Sequence, residues 1–286
     1  MTLHICQACG IQFPPSDSPP PACPICEDYR QPVPKEGQAW TTLAELSRNH
    51  RNEFREQEPG LWGIGTTPGF AIGQRALLLQ TEHGNLLWDC LSLLDEETAE
   101  RVRELGGIRH IAISHPHYYS SMVEWADAFG ATIHLAEADQ GWIQRQSPSI
   151  SFWSGRLELL PGVTLVQAGG HFEGAALLHW AAGAAGRGAL LTGDVIQVLP
   201  GRDRRVSFMR SYPMLLPLPP EEVERVTGSV ADLPYDRIYG AWWDRVIESD
   251  GEEVVRRSAE LYLSWVLPRA SSSGTASASS SLGTIE

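Results

Sequence analysis

The sequence has little positive charge and almost no lysine. Its 286 residues include 22 Lys and Arg against 35 Asp and Glu, for a formal net charge of −13, and Lys35 is the only lysine. A net negative field repels phosphate backbones, so we expect no nucleic-acid partner. A P-loop needs a Gly-Lys pair that this chain lacks, and Schiff-base catalysis is disfavoured by the scarcity of lysine.

Long apolar runs are also absent. No stretch of about 18 apolar residues occurs, so the sequence predicts no transmembrane helix and no membrane partner. The first residues, MTLHICQACG, lack the basic start and apolar core of a signal peptide. With 42% hydrophobic and 20% charged residues, the composition is that of an ordinary globular protein, and we expect a cytoplasmic location.

Composition divides the chain into four parts. Residues 1–37 are rich in Pro and Cys and contain almost no apolar core, and residues 38–59 are predicted to form a helical linker. Residues 60–269 alternate short strand-like and helix-like segments. Residues 270–286 are rich in Ser, Ala and Gly and bury too little apolar surface to fold, which predicts a disordered tail.

Hydrophobic periodicity predicts the secondary structure of the large third part. The predicted strands are residues 61–66, 76–81, 85–90, 110–114, 132–135, 157–160, 164–167, 175–180, 189–192 and 237–239. The predicted helices are residues 96–105, 122–129, 137–145, 221–230 and 252–265. Ser121 followed three residues later by Glu124 has the form of a capping box at one helix start.

Four of the five cysteines form two C-x-x-C pairs near the N-terminus. Thirteen residues separate the pair Cys6 and Cys9 from the pair Cys23 and Cys26, and Cys90 stands alone. Two such turns can close a tetrahedral site of four thiolates. The segment resembles zinc ribbons and rubredoxins. We expect structural zinc, because such a site stabilises a segment too small to fold alone, whereas iron would indicate electron transfer.

Histidines and a carboxylate follow predicted strands in the region 60–269. His115 and His117 come directly after the strand at 110–114, His171 lies in GGHFEG, and Asp194 ends LLTGD. This order, H-x-H, then G-H, then G-D, each at the carboxyl end of a strand, resembles the metallo-β-lactamase superfamily over residues 60–268. The LLWD sequence ending in Asp89 is similar to that family's early strand with its buried Asp.

The resemblance implies an α+β fold, a four-layer αββα sandwich with metal at one edge of its two sheets, here with a small N-terminal four-cysteine metal ribbon. It also implies that the first-site metal ligands are His115, His117 and His171, with Asp194 as the family's bridging carboxylate. Three imidazoles and one carboxylate can hold one ion of Zn, Fe or Mn type. We expect one Zn or Fe at this site.

The second metal site of the family has no counterpart in this sequence. The family pattern H-x-H-x-D-H would place Asp at 119 and His at 120, where this chain has Tyr119 and Ser120. The family's last His is replaced near Ala241 and Trp242. These three departures together predict a mononuclear site.

The leading functional prediction is a metal-dependent hydrolase acting on a small ester, thioester, lactone or amide. A bound divalent ion lowers the pKa of its water to about 7. Asp194 is a candidate catalytic residue, and Tyr119 or Glu173 (or Tyr118) could orient the nucleophile in place of the missing Asp. A tyrosine with a pKa of about 10 is a poor base at neutral pH.

Three residues are candidates for contacting a small-molecule substrate. Arg210 and Tyr212 lie in residues 207–213, which are expected to form a loop over the site, with Arg210 facing an anionic group. Trp242 could form an apolar wall of the pocket. A solvated arginine and a core aromatic pair are the alternative interpretations.

Other functions remain open on the sequence. His115, His171 and Asp194 could form a facial set around Fe(II), as in persulfide dioxygenases of the superfamily, but His117 would then have to leave the iron. The missing second-site residues could instead mark a non-catalytic metal-binding protein. A nuclease is disfavoured by the acidic charge. Neither the substrate nor the oligomeric state follows from the sequence.

Overall fold

The computed structural model of the protein describes residues 1–267, so the predicted tail at 270–286 lies outside the described residues. The strands in this range are β1 (Ile5–Cys6), β2 (Trp40–Thr41), β3 (Arg51–Glu58), β4 (Leu61–Thr67), β5 (Arg75–Leu79), β6 (Leu86–Trp88), β7 (His110–Ala112), β8 (Thr132–Ala136), β9 (Ile150–Trp153), β10 (Arg156–Leu160), β11 (Val163–Gln167), β12 (Ala176–Trp180), β13 (Ala189–Gly193), β14 (Gln197–Val198), β15 (Val206–Ser207), β16 (Met209–Ser211), β17 (Leu216–Pro217), β18 (Arg237–Gly240) and β19 (Val246–Ile247).

The helices alternate with these strands along the chain. They are α1 (Pro24–Glu27), α2 (Leu43–Asn49), α3 (Glu96–Glu104), α4 (Met122–Phe129), α5 (Gly183–Gly186), α6 (Pro220–Gly228) and α7 (Gly251–Val266). Two 3₁₀ turns cover Pro116–Tyr118 and Glu137–Trp142. In the part of the chain that the structure describes, no helix is both long and apolar enough to span a bilayer.

Two large sheets form the centre of the fold. The first has the order β3-β4-β5-β6-β7-β8-β9, antiparallel from β3 to β6 and parallel from β6 to β9. The second has the order β10-β11-β12-β13-β18-β19, in which only β13 and β18 run parallel among the described strands. The carboxyl ends of β6, β7, β13 and β18 are therefore the places from which loops can build a site.

Apolar side chains from both sheets meet between them. Leu61, Trp88, Leu165, Leu191 and Tyr239 belong to this shared core and are almost fully buried. Burying each large apolar side chain stabilises the fold by about 1.5–3 kcal/mol relative to leaving it exposed. A second cluster includes side chains of α3 and α4 with the first sheet, and a third includes those of α6 and α7 with the second sheet. The prediction of a four-layer αββα sandwich is confirmed.

The segment predicted as a helical linker is helical only in α2. That helix begins at a capping box, in which the Thr42 side chain accepts from the Glu45 backbone and the Glu45 carboxylate accepts from the Thr42 backbone. It ends at His50, and Arg51–Glu58 is an edge strand paired antiparallel with β4. The helix prediction is wrong for residues 51–56, because hydrogen bonding to β4 holds the backbone there in an extended conformation. Charged residues are common on edge strands, which they protect from further pairing.

Two other local predictions need correction. Ser121 makes no side-chain capping bond in the described chain, and Glu124 instead pairs with Arg145, with 2.6 Å between Oε1 and Nη1. The capping box predicted at these positions is therefore wrong, although α4 has the predicted bounds. The helix predicted at residues 137–145 is shorter and of 3₁₀ type, Glu137–Trp142.

The N-terminal 37 residues share a core with the first sheet. Ile11, Phe13 and Ile25 are buried in the same apolar cluster as Leu87 and Trp125. The expectation that this segment contains almost no core is therefore wrong, because its apolar side chains pack against another part of the chain. Hydrogen bonds add to this contact: the Ser92 hydroxyl donates to the Gly10 carbonyl over 2.7 Å.

Candidate metal centre

His115 is positioned by the turn that follows β7. The carboxylate of Asp89, just beyond β6, accepts a hydrogen bond from the backbone N–H of Ser114 over 2.8 Å. Burial raises the pKa of Asp89 to about 7, although the Ser114 bond opposes this shift. Nδ1 of His115 lies 2.9 Å from the Ser114 hydroxyl, which can either donate to this nitrogen or accept from it. Nε2 of His115 makes no such contact with the described residues, so it is the nitrogen that we expect to bind a metal.

His171 lies between β11 and β12, directly after two glycines. Gly169 and Gly170 have φ values of +72° and +80°, a backbone region that favours glycine. A Cβ atom on Gly169 would also lie 2.3 Å from the Arg225 guanidinium, the end of a flexible side chain that would have to move. Nδ1 of His171 lies 3.1 Å from the Met209 carbonyl, which places the ring proton on Nδ1 and leaves Nε2 free.

Asp194 follows β13 and faces the histidines from the second sheet. Its Oδ2 lies 3.7 Å from Nε2 of His115, and its Oδ1 accepts a hydrogen bond of 3.3 Å from Gln197. Burial raises the pKa of Asp194 to about 6, and interactions with Tyr118 and Gln197 oppose the shift. The Tyr118 hydroxyl is buried, and it makes no hydrogen bond of ordinary length and angle to any described residue.

The four side chains fit a single metal ion. One ligand atom from each of His115, His117, His171 and Asp194 lies within 4.8 Å of the others. Nδ1 of His117 is 3.3 Å from Nε2 of His171, and two nitrogens bound tetrahedrally to one zinc ion are about 3.4 Å apart. Nε2 of His115 is buried and has no hydrogen-bond partner among residues 1–267. An ion would satisfy these lone pairs.

Burial also keeps these imidazoles in the form that binds metal. It lowers the pKa of His115 and of His117 well below the ordinary value. It lowers the pKa of His171 to about 4, an effect that the Met209 carbonyl opposes. The rings are therefore neutral near pH 7, and neutral imidazole is the ligand form.

The four N-terminal cysteines form a second candidate metal group. Sγ of Cys6 lies 3.6 Å from Sγ of Cys26, and the same distance separates Cys9 from Cys23. Two thiolates bound tetrahedrally to one zinc ion are about 3.8 Å apart, so the spacing fits. All four are buried free thiols, and the Gln38 amide donates to Cys6 over 2.9 Å. The four cysteines are therefore placed to hold one metal ion.

The residues at the family's second metal site are bonded elsewhere. The Tyr119 hydroxyl donates to the Asp139 carbonyl over 3.4 Å. The Ser120 hydroxyl donates to the Cys90 carbonyl over 3.2 Å and accepts from the Gln74 amide at the same distance. Tyr119 is therefore oriented by this contact, and burial raises its pKa well above the ordinary value, which makes it a poor base.

The strand end at residue 240 likewise offers no ligand in the described chain. Ala241 is buried, and its carbonyl accepts a 2.7 Å hydrogen bond from the Arg75 backbone. Trp242, predicted to contact substrate, packs half-buried against the apolar cluster that contains the four cysteines. Its neighbour Trp243 covers Gly63 in β4. Neither tryptophan is joined by a described contact to the histidines.

Glu173 and Arg210, predicted for catalysis and substrate binding, pair with each other. Arg210 donates from Nη2 to Glu173 over 3.0 Å, from Nη1 to the Gly170 carbonyl over 2.9 Å, and from Nε to the Tyr29 hydroxyl over 2.7 Å. These bonds use the donors that were expected to face an anionic substrate. Tyr212 does lie near the site, with its ring centroid 6.0 Å from that of His171.

Arg30 is the functional-site residue that sequence reasoning missed. Its guanidinium is buried, lies 3.7 Å from the ring centroid of Phe172, and donates to the carbonyl of His171 over 3.1 Å. It is the only arginine in residues 1–37, four positions beyond Cys26. That isolation is the one signal in the sequence that could have identified it.

The candidate ligands are covered. His115 and His117 are 1% exposed, His171 is 2% exposed and Asp194 is 7% exposed. Part of the cover comes from the N-terminal segment and part from the β16–β17 hairpin, which join where the Ser211 hydroxyl donates to the Arg30 carbonyl over 2.7 Å. Little of the surface of the four candidate ligands is therefore open to solvent in this structure.

The two-sheet architecture with a metal group at one edge is the metallo-β-lactamase fold. The metallo-β-lactamase FIM-1 from Pseudomonas aeruginosa, solved in a mono-zinc form, matches with a TM-score of 0.56 and 14% identity, over 76% of this chain and 97% of that one. The metallo-β-lactamase DIM-1 matches with a TM-score of 0.57 and 9% identity, over 75% of this chain and 98% of that one. At such identities the likeness establishes the fold alone.

A much closer relative is found by sequence. The uncharacterized protein YmaE of Bacillus subtilis (strain 168) is 47% identical over 266 residues, which cover 92% of this chain and 96% of YmaE. The chain therefore belongs to the same protein family as YmaE. No protein-family model matches it.

Proposed function

We propose that this protein is a metal-dependent hydrolase with one ion at its histidine group. The observation that carries the proposal is the convergence of ligand atoms from His115, His117, His171 and Asp194 within 4.8 Å. When bound, such an ion supplies Lewis-acid chemistry and lowers the pKa of a water molecule. Zinc is the ion we propose, both here and at the four cysteines.

The chain's own residues orient the reacting groups. Gln197 and His115 flank the two oxygens of Asp194, which fixes the direction of its carboxylate. Tyr118 lies beside Asp194, and burial raises its pKa well above the ordinary value, so its hydroxyl stays protonated. That hydroxyl makes no hydrogen bond of ordinary geometry in the described chain, and its neighbouring acceptor is the Asp194 carboxylate. In the proposed reaction it donates to a substrate oxygen instead. Tyr118 thus fits the orienting role better than Tyr119 or Glu173.

The mononuclear character of the site is part of this proposal. Ser120 uses its hydroxyl in bonds to Gln74 and to the Cys90 carbonyl, and Ala241 has no side-chain donor. A second ion would therefore have to bind through Asp194 and solvent alone, which is a weak set of ligands.

The proposed substrate is a small neutral ester, thioester, lactone or amide. We propose a small molecule because the four candidate ligands are at most 7% exposed. Arg210 is already bonded to Glu173 and Tyr29, which removes the reason to expect an anionic group in the substrate.

A non-catalytic metal-binding role is the second candidate. The observation in its favour is the burial of the candidate ligands, because a catalytic ion needs an open position for substrate. The iron oxidoreductase is less well supported. In an iron site of that kind only two histidines and one carboxylate bind the metal, so His117 would have to lie away from it. In the structure Nδ1 of His117 lies 3.3 Å from Nε2 of His171, within the ligand group.

Metal analysis combined with turnover tests the proposal. We expect the full chain to bind about two ions, one at each group, and to hydrolyse members of an ester, thioester, lactone and amide panel. Chelation followed by zinc should remove and restore turnover. Binding of about three ions would contradict a mononuclear site. Full metal loading without turnover across the panel would favour the non-catalytic role.

A further inference from the structure

A short segment joins the two candidate metal groups. Helix α1 (Pro24–Glu27) contains Cys26, and the chain continues from it into Asp28 and Arg30. The Asp28 carboxylate accepts from Nε of Arg30 over 2.6 Å and from Nη2 over 3.1 Å. This two-bond contact fixes the guanidinium plane, so the position of Arg30 depends on the fold of the cysteine segment.

The fixed guanidinium contacts the backbone that carries His171. Nη1 of Arg30 donates to the His171 carbonyl over 3.1 Å. The same group stacks on the face of Phe172, 3.7 Å from its centroid, and Trp142 lies on another side at 5.2 Å. A buried cation over an aromatic face is attracted by the ring, so this contact helps to hold the turn that carries His171.

A second route from Arg30 reaches the His171 ring. The Arg30 carbonyl accepts from the Ser211 hydroxyl over 2.7 Å, at the end of β16. Met209 begins the same strand, and its carbonyl lies 3.1 Å from Nδ1 of His171. The Arg30 side chain therefore contacts the His171 backbone, while its backbone anchors the strand that orients the ring.

We propose that the four-cysteine group controls the metal affinity of the histidine group through Arg30, which acts as a positioning residue. The inference rests on the proposed metal at His171. A metal at the cysteines orders α1 and the segment after it, and Arg30 then holds His171 in its ligand position. Binding at two coupled sites is reciprocal, so a metal at the histidines should also tighten binding at the cysteines.

Cobalt titration of the full chain measures both groups separately. Cobalt bound to thiolates gives an intense near-ultraviolet charge-transfer band, and cobalt bound to imidazole and carboxylate gives weaker visible bands. Loss of a residue that orients a metal ligand typically weakens metal binding by about 10–100-fold. We expect Arg30→Met to weaken cobalt binding at the histidine group by this factor. The cobalt–thiolate band should remain and report that the cysteine segment is folded.

Three further variants make the test specific. Gln12→Ala is the matched control, because Gln12 lies in the same segment and its side chain bonds Arg145, away from His171. It should leave cobalt binding at the histidines unchanged. Cys23→Ser should weaken binding at both groups. Ser211→Ala removes the bond to the Arg30 carbonyl, together with the local bond that the Ser211 hydroxyl accepts from the Met214 N–H over 3.1 Å. It should weaken cobalt binding at the histidine group several-fold, and it replaces Arg30→Met in the test if that variant does not fold.

The outcomes separate this coupling from the proposed function. Wild-type affinity at the histidines in Arg30→Met or, if that variant does not fold, in Ser211→Ala would overturn the coupling and leave the hydrolase proposal standing. Equal weakening by Gln12→Ala would also overturn it, since the effect would then come from general docking of the segment. A wild-type chain that binds cobalt only at the cysteines would overturn both proposals.

Discussion

Nη1 of Arg30 donates a hydrogen bond to the backbone carbonyl of His171 over 3.1 Å, although 141 positions separate the two residues. The cysteine-containing segment is therefore part of the wall around the histidine group. Its apolar residues also lie in the same cluster as Trp125, so we expect its removal to destabilise the rest of the chain.

Deletion of residues 1–37 should destabilise the remaining chain. The deletion removes Ile11, Phe13 and Ile25 from the apolar cluster that they share with Tyr119 and Trp125, and exposed apolar surface costs about 25 cal/mol per Å². We expect a lower urea midpoint and binding of a hydrophobic dye such as ANS. A truncated chain with the urea midpoint of the full chain and no dye binding would show that the segment is dispensable for the fold.

Alanine substitution should change the free energy of unfolding differently at Thr42, before α2, and at Ser121, before α4. Thr42 caps α2 through a bond of 3.2 Å from the Glu45 backbone, so Thr42→Ala should reduce the free energy of unfolding by about 1 kcal/mol. Ser121 makes no cap bond in the described chain, so Ser121→Ala should change it by less than about 0.5 kcal/mol. Urea unfolding of the two variants in parallel measures the difference. An equal loss in the free energy of unfolding for both variants would indicate that Ser121 also caps its helix.

Asp89 should be replaceable by asparagine but not by alanine. Its φ of +61° favours Asn or Asp among residues with side chains, and its carboxylate holds the Ser114 N–H. Asp89→Ala leaves that N–H unsatisfied and should reduce the free energy of unfolding by about 1–3 kcal/mol, because an unpaired buried donor is costly. Asp89→Asn keeps an acceptor oxygen, so its free energy of unfolding should fall by less than that of Asp89→Ala. Urea unfolding at pH 7 distinguishes the two variants. An Asp89→Ala protein as stable as the wild type would contradict the role of this bond.

His134 should make the fold more sensitive to acid. Nε2 of His134 lies 3.1 Å from Nδ1 of His110, and burial lowers the pKa of His134 to about 4. The unfolded chain takes up this proton near pH 6.5, so the stability is complete above that pH and falls as pH drops towards 4. His134→Gln cannot titrate, and its urea midpoint should fall less than that of the wild type between pH 6.5 and 4.5. Identical pH profiles would contradict this explanation.

The sequence predicted the features of this protein that depend on neighbouring residues. The resemblance of the motifs at strand ends to the metallo-β-lactamase superfamily predicted the fold, and it indicated His115, His117, His171 and Asp194, which the structure brings together. Each of these residues comes shortly after a strand: His115 after β7 in the first sheet, and His171 and Asp194 after β11 and β13 in the second. The packing of the two sheets then brings these strand ends together.

The features that the sequence did not predict depend on contacts distant along the chain. Residues 51–58 contain charges at most positions, and only their pairing with β4 makes them a strand. Arg210 was expected to face a substrate, but Tyr29 and Glu173 take its donors. Arg30 reaches His171 only because the N-terminal segment folds back onto the sheet edge.

Metal content of His171→Ala, compared with the wild type and with His134→Gln, tests the central claim most directly. The account predicts about two ions per chain for the wild type and for His134→Gln, and about one for His171→Ala, with the far-ultraviolet circular dichroism unchanged. The ion that remains should be the one at the four cysteines. A folded His171→Ala protein that still binds the wild-type amount of metal would contradict the assignment of His171 as a ligand.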